Sequence, residues 1–232
     1  MTERFAIYYA PAVDDPLWQH ANSWLGRDPS NAGPVGTVDG ISRERLDSLT
    51  ESARRYGFHA TLRAPMRLSD GQSREDLEAA LAAFAARRKP EAIGMLEVAS
   101  LDGFIALVPQ PQQVPLTVLA ADLVESLEPF RAPMSVEDKI RRTAGGRLTA
   151  RQLELLERFG YPYVLEQFQF HMTLTDRLVP EDEPEMIQLA RHVFSGEMGT
   201  PRMLDRIALY HEAEPGAPFM RVADFELTGT PT

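Results

Sequence analysis

The chain has 232 residues, with 24 Lys and Arg against 34 Asp and Glu, which gives a formal net charge of −10. Apolar residues make up 44% and charged residues 25%, enough apolar surface for a core, so intrinsic disorder is excluded as the main reading. There is no cysteine, which excludes disulfides, thiolate nucleophiles and Cys-ligated zinc or iron–sulfur centres, and the acidic balance argues against binding long nucleic acid, although a local basic cleft stays open.

Phe5–Tyr9 reads as a strand that ends before Pro11. Asp14, Asp15 and Pro16 mark a helix start, and Leu17, Ala21, Trp24 and Leu25 give that helix an apolar face. Arg27–Gly40 has loop composition, and Ser42 opens a second helix through Arg45, Leu46 and Leu49. Tyr56–Leu62 is a short β-like run, and Asp76–Arg87 is an Ala/Leu-rich helix that stops near Pro90. Leu96–Ser100 and Phe104–Val108 flank Asp102-Gly103, a hairpin signal. Val114–Leu127 reads as a helix, Pro129–Gly146 as an irregular basic stretch, and Thr149–Arg158 as a helix capped by Thr149. Gln167–Leu174 reads as a strand, Glu183–Phe194 as a helix, and Ile207–His211 with Phe219–Leu227 as a final strand pair across Pro215-Gly216. No run approaches the ~18 consecutive apolar residues of a membrane span, and Met1–Ala10 lacks a secretory pattern. The expectation is a cytoplasmic protein with no membrane association.

The order of elements repeats with a period near 112 residues, the mark of an internal duplication. The expected fold is α+β, a single bilobed domain with pseudo-twofold symmetry around a central cleft. Residues 1–102 form the first lobe and 103–232 the second, and strand exchange between the lobes is left open.

The two lobes share one motif. Phe58-His59-Ala60-Thr61-Leu62 in the first answers to Phe170-His171-Met172-Thr173-Leu174 in the second. A lone His-x-Thr is weak, but two copies at matching places, each with Phe before and Leu after, are specific. On a strand, side chains alternate faces. His59 and Thr61 therefore share one face against Phe58, Ala60 and Leu62, and His171 and Thr173 do the same against Phe170, Met172 and Leu174. Two imidazoles and two hydroxyls around a cavity suit a phosphodiester. A neutral His removes a proton from the nucleophile, and a charged one protonates the leaving oxygen. Threonine hydroxyls hold the phosphoryl oxygens. This arrangement requires no metal or other cofactor, and no His-x-x-x-His or dense carboxylate/His cluster is present.

With these twin motifs the chain resembles the two-histidine (2H) phosphoesterase superfamily, which includes RNA 2′,3′-cyclic phosphodiesterases and 2′-5′ RNA ligase-like proteins. The resemblance implies a bilobed α+β fold, metal-free chemistry on phosphodiesters or cyclic phosphates, catalytic roles for His59 and His171, and phosphate binding by Thr61 and Thr173. Tyr56–Leu62, Phe130-Arg-Ala-Pro133, Gly160-Tyr-Pro-Tyr163, Phe170–Thr175 and Ile7-Tyr-Tyr-Ala-Pro11 resemble a branch found with phosphonate-catabolism (carbon–phosphorus lyase) genes. The branch resemblance implies ribose cyclic phosphates as attractive substrates.

Further candidates surround the motifs. Arg63 extends the His59 face toward the phosphate, or is a solvated strand-end arginine. Arg55 has a surface role as its first reading. Arg131, Lys139, Arg141, Arg142 and Arg147 form the most basic stretch, and Arg131 and Arg142 are the preferred substrate contacts. Tyr8 either contacts the substrate or belongs to the core or rim. Tyr161 and Tyr163 either wall the cleft or pack a rigid turn, and Tyr163 is the substrate-binding choice. His20 and His192 fall on helices, outside the site, and a role for His211 beside Glu212 has no support. Gly145-Gly146 is not a phosphate loop. The expected partner is a small phosphorylated substrate, and the sequence points to no protein partner. The alternatives to a hydrolase are an RNA-end ligase or transferase using the same chemistry, a noncatalytic module that binds a phosphometabolite, and a fold with two buried structural histidines.

Overall fold

The computed structural model describes residues 3–143 and 148–230. The side chain of Arg141, the Gly145-Gly146 pair and Arg147 lie outside the described residues.

The first half runs β1 (Arg4–Tyr9), α1 (Pro16–Leu25), α2 (Arg43–Leu49), α3 (Glu51–Tyr56), β2 (Ala60–Met66), α4 (Arg74–Ala85), β3 (Glu91–Gly94) and β4 (Leu96–Leu101). The second runs β5 (Phe104–Pro109), α5 (Val114–Ser126), α6 (Val136–Thr143), α7 (Ala150–Phe159), β6 (Met172–Thr173), α8 (Glu183–Val193), α9 (Ser195–Met198), β7 (Arg202–Leu204), β8 (Arg206–Glu212) and β9 (Met220–Glu226). The class is α+β, as the alternating patterns imply. Among the described residues, no helix is long and apolar enough to cross a membrane.

The capping chemistry explains where the helices start. Asp15 accepts from Leu17 N at 2.8 Å, with Pro16 in the first turn. Ser42, Ser73 and Thr149 cap α2, α4 and α7, the last two as reciprocal capping boxes. The β4–β5 hairpin turns on Asp102 and Gly103, both at positive φ (51° and 87°), the geometry a two-residue turn demands.

Among the described residues, seven strands form one antiparallel sheet in the order β4-β5-β6-β2-β1-β8-β9, and β3 pairs with β7 apart from it. The strands that carry the two motifs are therefore direct neighbours, with Ala60 paired to Met172. Helix α5 packs on β2, α8 on β4 and β5, and α4 on β8 and β9. Trp24 of α1 donates from its indole N–H to the Leu174 carbonyl at 2.7 Å, which ties the buried core to the chain just past β6.

Four features differ from the sequence expectation. Tyr56 ends a helix, α3, instead of starting a strand, because Asp176 accepts from Ser52 N and Ala53 N (2.8 and 2.9 Å) and so supplies a helix cap from 124 residues away. The second motif strand shrinks to Met172–Thr173. Ahead of it, the Gln112 side chain donates to Phe170 O (2.9 Å) and accepts from Phe170 N (3.1 Å), in the place of a neighbouring strand. The stretch read as irregular contains α6, whose start is held by Ser135 accepting from Asp138 N at 3.1 Å. The short elements α9, β3 and β7 carry too few residues to show a period.

Thr175 is fully buried, and its Oγ1 accepts from Ile105 N at 2.9 Å. The near-isosteric Thr175→Val leaves that buried N–H unpaired, so a loss of about 1–3 kcal/mol is expected. Urea unfolding followed by circular dichroism measures it.

Candidate functional site

The first motif sits where α3 hands over to β2. Gly57 ends the helix at φ 77°, and a methyl group there would lie 2.7 Å from the Pro29 ring, so both conformation and space call for glycine. Its carbonyl accepts from His59 Nδ1 at 2.8 Å. A carbonyl can only accept, so Nδ1 carries the hydrogen and Nε2 is the basic atom. Nε2 lies 3.1 Å from Thr61 Oγ1, and in this tautomer the hydroxyl donates. Tyr8 backs the imidazole in a stacked arrangement, ring centroids 3.8 Å apart.

The second motif repeats the device. His171 Nδ1 donates to the Gln169 carbonyl at 2.8 Å, again two residues back, and this again leaves Nε2 basic. Phe104 tilts against its ring at 5.8 Å. Thr173 pairs with Ala106 across β5.

The register brings the two motifs together. With Ala60 opposite Met172 in antiparallel strands, His59 stands across from Thr173 and Thr61 across from His171. All four line one cleft of about 700 Å³. Burial pushes His59 down from 6.5 to about 4, against the Gly57 hydrogen bond and with a smaller push from His171; burial lowers His171 likewise, against its bond to Gln169. Both imidazoles thus favour the neutral form at pH 7. Among the described residues, no three His, Asp or Glu side chains gather as a metal site.

Around this floor stand Tyr8, Tyr56 and Tyr161, Asp138 and Asp176, and four arginines, Arg4, Arg55, Arg67 and Arg142. Arg142 lies over the Tyr161 ring at 5.3 Å, and burial pushes the Tyr161 hydroxyl up to about 12, so it stays protonated. Arg4 and Arg55 both bond the carboxylate of Glu212, which is fully buried.

The candidates read from the sequence divide. His59, His171, Thr61, Thr173, Arg142 and Tyr8 line the cleft. Tyr8 is itself buried at 1% exposure and serves as the ring behind His59. Arg63 does not line the cleft. The β1–β2 ladder slips between Tyr8↔Thr61 and Ile7↔Arg63, one residue against two. This bulge turns Arg63 to the opposite face, where it is 2% exposed and bonds Val124 O and Glu128 at 2.9 and 2.8 Å. Arg131 is spent on the same Glu128, at 2.9 Å through Nε, and on the Arg158 carbonyl at 3.0 Å. Tyr163 is 47% exposed; Pro162 separates it from Tyr161, and Tyr161 is the one that walls the cleft.

Sequence reasoning missed Arg4, Arg67 and Glu212 and assigned Arg55 to the surface. Glu212 was visible only as the neighbour of His211, which bonds Glu3 at 2.8 Å, outside the cleft. His20 bonds Glu197 at 2.8 Å, and His192 lies on α8; neither lines the cleft.

A family model described as "Protein of unknown function (DUF1045)" matches residues 61–220. A curated relative from Janthinobacterium sp. (strain Marseille), named ribose 1,5-bisphosphate phosphokinase PhnN, is 39% identical over 223 residues, 94% of this chain and 49% of that protein. A protein of the same name from Laribacter hongkongensis (strain HLHK9) is 38% identical over 217 residues, 93% of this chain and 50% of that protein. The chain spans about half the length of these relatives. Among solved structures, a phosphoesterase aligns at 14% identity with a TM-score of 0.44, and E. coli LigT complexed with NADP+ at 13% with 0.46. Each alignment covers 98% of this chain and 99% of the other.

Two outcomes follow from the geometry around His59. Stability should fall as pH drops from about 6.5 toward about 4, because the unfolded chain takes up a proton that the folded imidazole refuses. His59→Asn should flatten that slope, as read from melting temperatures across the window. Gly57→Ala should destabilise the fold by about 1–3 kcal/mol, through its positive φ and the Pro29 clash, as measured by urea unfolding.

Proposed function

The chain belongs to the DUF1045 family, and from that premise we propose that it is a phosphoesterase that opens a cyclic phosphate or small phosphodiester at the His59–Thr61 and His171–Thr173 floor. One observation carries this reading: two imidazoles, each with its tautomer fixed by a carbonyl two residues back, face one cleft beside two hydroxyls. The family and its phosphate-related relatives support the resemblance to two-histidine phosphoesterases near the phosphonate-catabolism branch.

The reaction uses the imidazoles in opposite states. A neutral Nε2 takes a proton from the attacking water as its oxygen bonds phosphorus. The other imidazole carries a proton that it gives to the leaving alkoxide as the P–O bond breaks. Burial disfavours that proton, and a bound phosphate anion supplies the opposite charge that stabilises it. Thr61 and Thr173 donate to the phosphoryl oxygens, where charge develops. The mechanism takes no metal ion. A proton exchange with solvent resets the pair.

A ribose phosphate is the favoured substrate class. The curated relatives' name concerns a ribose bearing two phosphates, and the branch resemblance supports a role in phosphonate catabolism. We also read the chain as two related halves with exchanged strands. In the sheet, β4 of the first half lies beside β5 of the second, and β8 of the second beside β1 of the first. The axis between the halves then passes between Ala60 and Met172.

Expected results are direct. His59→Ala and His171→Ala should each lower turnover of 2′,3′-cyclic nucleotides and ribose cyclic phosphates by at least about 10²-fold while leaving the circular dichroism spectrum unchanged. Turnover should survive EDTA and show a bell-shaped pH profile. Unfolding of both variants would favour a structural role for the histidines, and activity restored only by added metal would refute the two-imidazole mechanism.

A further inference from the structure

The cleft has a cationic wall that the two imidazoles do not use. Arg4 opens β1 and Arg55 lies near the end of α3, and both reach Glu212 on β8. Glu212 is fully buried and also accepts from Gly216 N at 3.1 Å. Burial alone would raise this carboxyl, but the bonds from Arg4 and Arg55 outweigh it and hold it below the usual range. The carboxylate is therefore charged, and it orients two guanidiniums at once. Arg55 is also held by the Ala217 carbonyl at 3.2 Å. Arg4 and Arg55 lie against the same Phe219 ring, at 5.7 and 5.9 Å.

Charge on this wall is unbalanced. Two guanidiniums share one carboxylate, which leaves a net positive charge in a chain of net charge −10. Arg67 and Arg142 line the same cleft. Of the carboxylates lining the cleft, Asp138 is 3.8 Å from Arg67, and Asp176 accepts from the first N–H groups of α3. Arg4 is four residues along β1 from Tyr8, the partner of Thr61, or about 13 Å of strand. The His/Thr floor and these arginines line one cleft, and the arginine side chains reach back from that backbone separation toward the floor.

We propose that Arg4 and Arg55, with Arg67 and Arg142 beside them, form a subsite for a second anionic group, so that the substrate is a cyclic phosphate or phosphodiester that also carries a phosphomonoester on the same sugar or nucleoside. This rests on the phosphoesterase reading for the first phosphate and adds what that reading leaves open. A phosphomonoester is near a dianion at neutral pH, and guanidinium forks match its oxygens. The buried Glu212 keeps the forks in place before the substrate arrives.

The test compares adenosine 2′,3′-cyclic phosphate with its 5′-phosphorylated form. Wild-type kcat/KM should favour the 5′-phosphorylated probe by at least about tenfold, the effect of one charge-assisted pair. Arg55→Gln should bring the ratio toward one. Arg67→Gln, on the partly exposed side of the cleft, should lower it as well, and it guards against loss of fold in the first variant, where Glu212 loses a partner. Equal kcat/KM for the two probes, with turnover intact, would overturn the subsite and leave the phosphoesterase standing. If neither probe turns over, calorimetric titration decides. Tighter binding of the 5′-phosphorylated probe, weakened in both arginine variants, supports the subsite while the phosphoesterase reading fails. Equal affinities overturn the subsite.

Discussion

The backbone pairing of Ala60 with Met172 is the contact on which the arrangement of the cleft depends. It makes β2 and β6 neighbours, and antiparallel strands place the flanking residues of one opposite those of the other. Since side chains alternate, the single register that buries Phe58, Leu62, Phe170 and Leu174 also points His59, Thr61, His171 and Thr173 together. A slip of one residue would bury polar groups and expose apolar ones. The same hydrophobic preference that specifies the sheet therefore specifies the site.

Two carboxylates divide the arginines of this part of the molecule. Glu212 holds Arg4 and Arg55 at the cleft. Glu128 holds Arg63 and Arg131 away from it. The chemistry of each cluster is alike, two guanidiniums on one carboxylate, but their surroundings differ. Arg63 is sealed under α5 by the Val124 carbonyl and has no access to ligand. Arg4 and Arg55 line an open wall. Which arginines serve the cleft is decided by which face of the sheet each leaves, and residue type alone does not report that.

The limits of reading from sequence follow the same logic. The His/Thr pairs were legible because a local period of two is enough to orient them. Helix starts were legible where the cap lies within three residues, as with Asp15, Ser42 and Thr149. Arg63 went astray because the β2 bulge breaks the period one residue after Thr61, and a bulge is a property of the pair of strands. Arg55 was hidden because its helix is capped by Asp176 and its guanidinium is aimed by Glu212, both far along the chain. Tyr161 and Tyr163 exchanged places for want of the turn geometry at Pro162. The second motif strand was overestimated because Gln112 does, with a side chain, what a strand does with backbone.

The β2–β6 pairing also bears on how the molecule is made. Ala60 and Met172 are 112 residues apart, so the contact closes a long loop whose entropy must be overcome before the pairing contributes anything. Neither motif gains its partner while the chain is still half synthesised, and each polar strand face stays solvated until the second strand docks. Under the proposed function, ligand affinity at this cleft reports completed folding, since a ligand held by both motifs stabilises only the closed sheet, not any earlier form of the chain.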